Sequence, residues 1–150
     1  MRISNRKKAL KFKRIFFLFS IVIALAALAL FLLDYTLYGL GSVGVFSMWY
    51  LYFHVADYQF IEYNDANGKI LLRYFKAVNF GTKAFHSIEF PSQILQNAHF
   101  EDSIFGKLSD VTLIIRTKRG IAEYPSVSLS AVPLKDRKKI KESLFKIIQN

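Results

Sequence analysis

Residues Ile15 to Leu33 read IFFLFSIVIALAALALFLL, nineteen side chains in a row without a charge, a proline or a glycine. As an α-helix, such a run spans roughly 28 Å, about the hydrocarbon thickness of a bilayer. Seven Lys or Arg and no acid precede it, within MRISNRKKALKFKR. The run predicts a membrane-spanning helix, and the basic block predicts that the N-terminus lies on the cytoplasmic side.

Charge supports that division. The net charge is +10, and the first fourteen residues supply +7 of it. From Asp57 onward 14 basic residues face 10 acidic ones, leaving only +4. The membrane accounts for the high pI, so nucleic acid is not expected as a partner. The chain has no cysteine, which excludes disulfides, thiolate metal sites and Cys nucleophiles. A cleaved signal peptide has a shorter apolar region that ends at a small-x-small site. This run instead ends in FLLDYTLYG, so an uncleaved anchor is expected.

A second uncharged stretch follows Asp34, YTLYGLGSVGVFSMWYLYFHV, from Tyr35 to Val55. Glycines and aromatic residues make it less lipophilic than the first, but both are tolerated in membrane helices. Ser20, Ala24 and Ala27 form a small-residue stripe on the first segment. Gly41 and Gly44 are the candidates to pack against it in a tight antiparallel hairpin. The division expected is a basic tail over 1–14, a membrane region over 15–56 with helices near 15–33 and 36–56, and a folded domain over 57–150. Two crossings return the domain to the cytoplasmic side. The alternative is one crossing, with Tyr35 to Val55 as buried strands and the domain outside.

From Asp57 the pattern changes to strands. YQFIEY and KILLRYFKAV flank Asn64-Asp65-Ala66-Asn67-Gly68 as a β-hairpin. KAFHSIEF reads as a further strand, stopped by Pro91. PSQILQNAHFEDSIFGKLSD reads as irregular, with one helical turn at Ser92 to Gln96. VTLIIRT and IAEY form a second hairpin with Gly120 at its turn, and SVSLSAV an edge strand after Pro125. The last segment, about 133–149, is an amphipathic helix with Ile140, Leu144, Ile147 and Ile148 on one face, expected to pack on Leu113 and Ile115. Ser130 lies in its expected N-cap region. The fold class is therefore membrane-anchored α+β: a helical hairpin, then a small antiparallel sheet or half-barrel closed by a C-terminal helix.

The tract VTLIIRTKRGIAEYPSVSLSAVPLKDRKKIKESLFKII, with SIEFPSQI before it, resembles the bacterial pleckstrin-homology-like membrane proteins. The likeness covers about 70 residues and is one of pattern, without a diagnostic motif. It implies a non-enzymatic module for association at the bacterial inner membrane and supplies no catalytic residues. Phosphoinositide-binding members of the wider superfamily share a basic cluster on the first hairpin. Here Lys69, Arg73 and Lys76 are spread along one strand.

No nucleophile elbow, phosphate loop, dinucleotide fingerprint or H-E-x-x-H motif is present. His54, His86 and His99 are far apart, unlike the close ligand pairs of zinc sites. No catalytic, cofactor or metal residue is assigned. Two basic surfaces are candidates for anionic lipid or a partner: Arg6, Lys7, Lys8, Lys11, Lys13 and Arg14 before the span, and Lys135, Lys138, Lys139 and Lys141 on the last helix. The function expected is an accessory or interaction subunit of a membrane assembly, with the bilayer and a membrane-protein partner or second copy as partners. The alternative is a single-pass protein with an extracytoplasmic binding domain. Intact-mass measurement of the purified chain should find the basic block still attached; a chain starting near Asp34 would overturn the uncleaved anchor.

Overall fold

In the computed structural model, residues 1–78 and 84–150 are described. The fold is α+β, with an apolar N-terminal helix, two antiparallel sheets and a C-terminal helix. Strand β1 (Arg2–Ser4) leads into helix α1 (Arg6–Leu32) and then helix α2 (Thr36–Ala56). The stretch read as a tail is thus a strand followed by two and a half helical turns.

Helix α1 carries the longest apolar run, and only 6% of its most apolar window is buried. Its exposed side chains include Leu18, Ile21, Val22, Leu25 and Leu28. Among the described residues it is the one helix long and apolar enough to cross a membrane. Helix α2 is interrupted by glycines, tyrosines and His54, yet Leu37, Met48, Leu51 and Val55 are also bare. The two helices are joined by Leu33 to Tyr35, with Asp34 at φ 63°. The amide of Tyr35 donates to the Leu30 carbonyl at 2.9 Å. They run antiparallel: Phe16 meets Phe53 at 5.0 Å and Phe19 meets Trp49 at 5.4 Å between ring centroids, and Phe31 lies on Gly39.

The covered positions of α2 are Gly39, Ser42, Phe46, Trp49, Phe53 and Ala56, alternating in steps of three and four. That phase puts Gly41 and Gly44 on the far side, where an added Cβ would meet nothing within 4 Å. The close approach expected at those glycines occurs at Gly39, where a Cβ would stand 2.8 Å from the Phe31 ring. On α1, Ser20 and Ala27 lie on the half-buried stripe, while Ala24 is exposed. Ser20 turns its hydroxyl back to the Phe16 carbonyl at 2.6 Å.

Asp57, at φ 46°, ends α2 and turns the chain into the first sheet. Strands β2 (Gln59–Asn64), β3 (Lys69–Lys76) and β4 (His86–Pro91) follow, and the sheet order is β1-β2-β3-β4. The expected hairpin is present in register, Phe60 opposite Phe75 and Glu62 opposite Arg73, around a turn with Asn67 and Gly68 at positive φ. Lys83, at the start of the next predicted strand, lies outside the described residues.

The second sheet holds β5 (Leu95–Ser103), β6 (Leu108–Thr117) and β7 (Gly120–Glu123), with β8 (Val127–Ser128) also on β6. The tract read as irregular contains a short 3₁₀ turn, Ser92–Ile94, and then the nine-residue β5. Few of its side chains alternate apolar and polar, because most of β5 faces solvent and a register shift falls between Leu95 and Asn97. Helix α3 (Leu134–Gln149) closes the domain. Its Ile140 and Leu144 are buried in one core with Leu113, Ile115, Val111, Ile70 and Tyr63. Pro133 stands at the N-cap without a side-chain bond. Ser130 is buried instead, its hydroxyl accepting the Ser109 amide at 3.2 Å.

At the far end of α3, Ser143 bonds the Tyr63 hydroxyl at 3.0 Å and donates to the Asp65 carboxylate. Burial pushes the Tyr63 phenol up to about 12, with Ser143 opposing and Asp65 adding to it. Removing Leu144 from this core should cost about 2–5 kcal/mol. Leu144→Ala should therefore melt well below the parent chain in detergent, whereas Lys138→Ala, at an exposed position, should stay within a degree or two.

Candidate functional site: a basic groove beside the first helix

The base of α1 is amphipathic, and its two faces do different things. Ala9 and Phe16 are buried against Ala56, Tyr58, Leu108 and Ala131 in a second, smaller core. Phe12 stacks on Tyr58 with centroids 4.0 Å apart and planes 5° apart. Small residues dominate this junction because two helices, two sheets and the start of α3 converge there. The flank beside that buried face carries Arg6, Leu10 and Lys13 at i, i+4 and i+7, one above the other.

Asn5 sets the position of that face. It is 3% exposed although it stands between β1 and a helix. Its side-chain amide donates to the Gln59 carbonyl at 2.8 Å, and its side-chain oxygen accepts the Ile61 amide at 2.7 Å. Its own backbone amide donates to the Ile61 carbonyl at 3.2 Å. The side chain thus continues the β1–β2 ladder beyond the last paired residue and fixes α1 against the sheet.

Between this face of α1 and the outer face of the first sheet runs a groove of about 540 Å³. Arg6, Leu10 and Lys13 line one wall; Phe60, Glu62, Arg73, Phe75, Phe85 and Ser87 line the other. Phe60, Phe75 and Phe85 form a ladder, 4.6 Å and then 4.8 Å between centroids. Phe85 is 71% exposed. Glu62 is engaged by Arg2 at 2.6 Å, whereas Arg6, Lys13 and Arg73 have no ion pair among the described residues. The groove is therefore net positive and walled by aromatic rings. Tyr74, at its edge, stacks on His86 at 5.1 Å, and burial raises its phenol pKa.

The remaining basic residues are placed elsewhere. Lys7, Lys11 and Arg14 are exposed on α1, and Lys8 stands over the Phe12 ring at 5.9 Å. On α3, Lys135 and Lys138 are exposed, Lys139 lies 3.9 Å from Asp136, and Lys141 sits over the Phe100 and Phe145 rings at 5.4 and 5.9 Å. Arg137 donates instead to the carbonyls of Ser130, Val132, Gly106 and Lys107. It ties the start of α3 to the β5–β6 tip, and burial lowers its pKa. Burial and the nearby Arg137 charge lower the Lys8 pKa, so the two basic surfaces approach each other there, while only Arg6 and Lys13 of the candidate residues enter the groove. Arg73 and the three phenylalanines join them through sheet register, which the residue list alone did not bring together.

Among the described residues no group of three His, Cys, Asp or Glu could hold a metal. No family model, curated protein or solved structure matches the chain.

Asn5→Ala would strand the Ile61 amide and the Gln59 carbonyl inside the junction, at about 1–3 kcal/mol for each unpaired group. The variant should lose hydrogen-exchange protection at Gln59 to Ile61 before it loses protection at Leu113 to Ile115.

Proposed function

We propose that this chain is a two-span membrane protein whose folded domain works as a non-enzymatic interaction module. In this reading it is an accessory subunit of an assembly in the bacterial inner membrane. The observation that carries the reading is the pairing of β1 with β2: Arg2 to Ser4 precede α1, Gln59 to Asn64 follow α2, and the two are neighbouring strands. Strands hydrogen-bonded in one sheet lie on one side of any bilayer. The helices between them then cross twice or not at all.

Two crossings account for the bare apolar sides of both helices, which no described part of the folded domain covers. Lipid around them would remove that surface from water at roughly 25 cal/mol per Å². Tyr35 and Tyr38 at one end of the pair and Trp49, Tyr50 and Tyr52 toward the other suit interfacial belts. The basic block at the base of α1 favours the cytoplasmic side for both β1 and the domain. Two antiparallel sheets closed by one C-terminal helix support the pleckstrin-homology-like reading of the domain. A single-pass arrangement would pull β1 from β2 and open the Asn5 bonds, so it is the weaker account.

Cysteine-free chains suit labelling, and this one is cysteine-free. Lys7→Cys, Tyr35→Cys and Gln149→Cys would each be probed in intact cells and in inverted vesicles with a membrane-impermeant maleimide. Lys7→Cys and Gln149→Cys should label only in inverted vesicles, and Tyr35→Cys only in intact cells. Labelling of Lys7→Cys and Gln149→Cys from opposite sides would sink the two-span reading.

A further inference from the structure

We infer that the groove between α1 and the first sheet holds the headgroup of one anionic phospholipid from the leaflet that α1 enters. This rests on the two-span reading, which gives the groove its depth. Charged residues on α1 end at Arg14 and the apolar run starts at Ile15. Lys13 therefore lies at headgroup level. Arg6 is seven residues below it, about 10 Å away along the helix.

The opposite wall is graded in the same direction. β2 leaves the helix pair at Gln59 and β3 returns toward it at Lys76, so Phe60 and Phe75 lie nearer the helix pair than Glu62 and Arg73. The exposed Phe85, just before β4, extends this aromatic rung. Asn5 bonds both neighbours of Phe60, so the rings stand near the level of Arg6, on the water side of Lys13, and the groove runs from Lys13 at the membrane surface past the rings to Arg73.

Charge decides the class of ligand. Glu62 is already neutralised by Arg2, leaving Arg6, Lys13 and Arg73 without protein counter-ions among the described residues. Two guanidiniums and an ammonium lining one groove suit a phosphodiester without a compensating choline or ethanolamine. The groove opens beside Lys13, where the apolar run begins, which suits a phosphate anchored in the membrane better than a free one. The α3 lysines lack such a wall: Lys139 faces Asp136 and Lys141 is held over Phe100 and Phe145.

The test uses the full chain in neutral detergent, with bound lipid counted by native mass spectrometry. Phosphatidylglycerol, phosphatidylcholine and glycerol 3-phosphate are titrated separately. One phosphatidylglycerol should be retained in preference to phosphatidylcholine, and glycerol 3-phosphate should bind far more weakly. Lys13→Gln and Arg73→Gln should each weaken phosphatidylglycerol about fivefold, since a cation near an anionic surface contributes about 1 kcal/mol. Phe75→Ala should weaken both lipids. Lys138→Gln with Lys139→Gln should leave the affinity unchanged. All five positions are exposed or half-exposed, and an unchanged melting temperature would confirm folding of each variant.

Equal retention of the two lipids would overturn the inference, as would equal losses from the groove and α3 variants. Tight glycerol 3-phosphate binding would make the site one for a soluble phosphate. These outcomes stand apart from failure of the two-span reading, which the cysteine labelling alone reports.

Discussion

The arrangement depends on one small polar contact. Asn5 stands where a strand must end and a helix must begin, and it is buried. A buried amide without partners would be costly, but here both ends of the side chain are bonded to β2. Because those bonds link residue 5 to residues 59 and 61, they close a loop that contains both apolar helices. Every other feature at the junction follows: α1 leaves the sheet at a fixed angle, Ala9 and Phe16 meet Ala56 and Tyr58, and Arg6 and Lys13 face the groove.

Two cores share the load, and they are built differently. The larger one, between the sheets and α3, is filled by branched and aromatic side chains such as Ile70, Leu72, Leu113, Leu129 and Leu144. The smaller one, at the foot of the helix pair, relies on Ala9, Ala56, Ala77 and Ala131, with Phe16, Phe53 and Tyr58 filling the gaps. Small residues allow backbones to approach where many elements converge, and aromatic rings restore the packing density. Arg137 adds a polar brace at the same level, its fork satisfying four carbonyls that loops would otherwise leave to water.

The uneven charge of the chain takes on meaning from this geometry. Seven cations precede Ile15, yet they do not act as one patch. Arg2 is spent on Glu62, Lys8 is drawn over a ring, and Arg6 and Lys13 share a wall with Arg73 from a strand far away in sequence. Long-range pairing, not local density of charge, decides which cations act together.

Much was legible in the sequence because it was local. The nineteen-residue apolar run, the Asn-Gly turn with its flanking strands and the periodic face of α3 each follow from side-chain spacing over fewer than twenty residues. The β5 strand was not, because a solvent-facing strand with a register shift leaves little alternation to see. Gly41 and Gly44 looked like the small residues of a helix contact, but the phase of α2 is set by Phe53 and Ala56 docking on the domain, and it brings Gly39 to Phe31 instead. Nor could spacing reveal that Arg2 to Ser4 form a strand. Three residues carry no readable period, and their partner lies about sixty positions away. The sequence by itself determined a long apolar N-terminal helix, a basic block before it and a small α+β domain, since these rest on composition and short-range period. Tertiary structure alone decided that both ends of the helix pair meet in one sheet, and that Arg6, Lys13, Arg73 and three phenylalanines share a groove. Strand register and helix docking bring such residues together across the chain, and neither is encoded in any one segment.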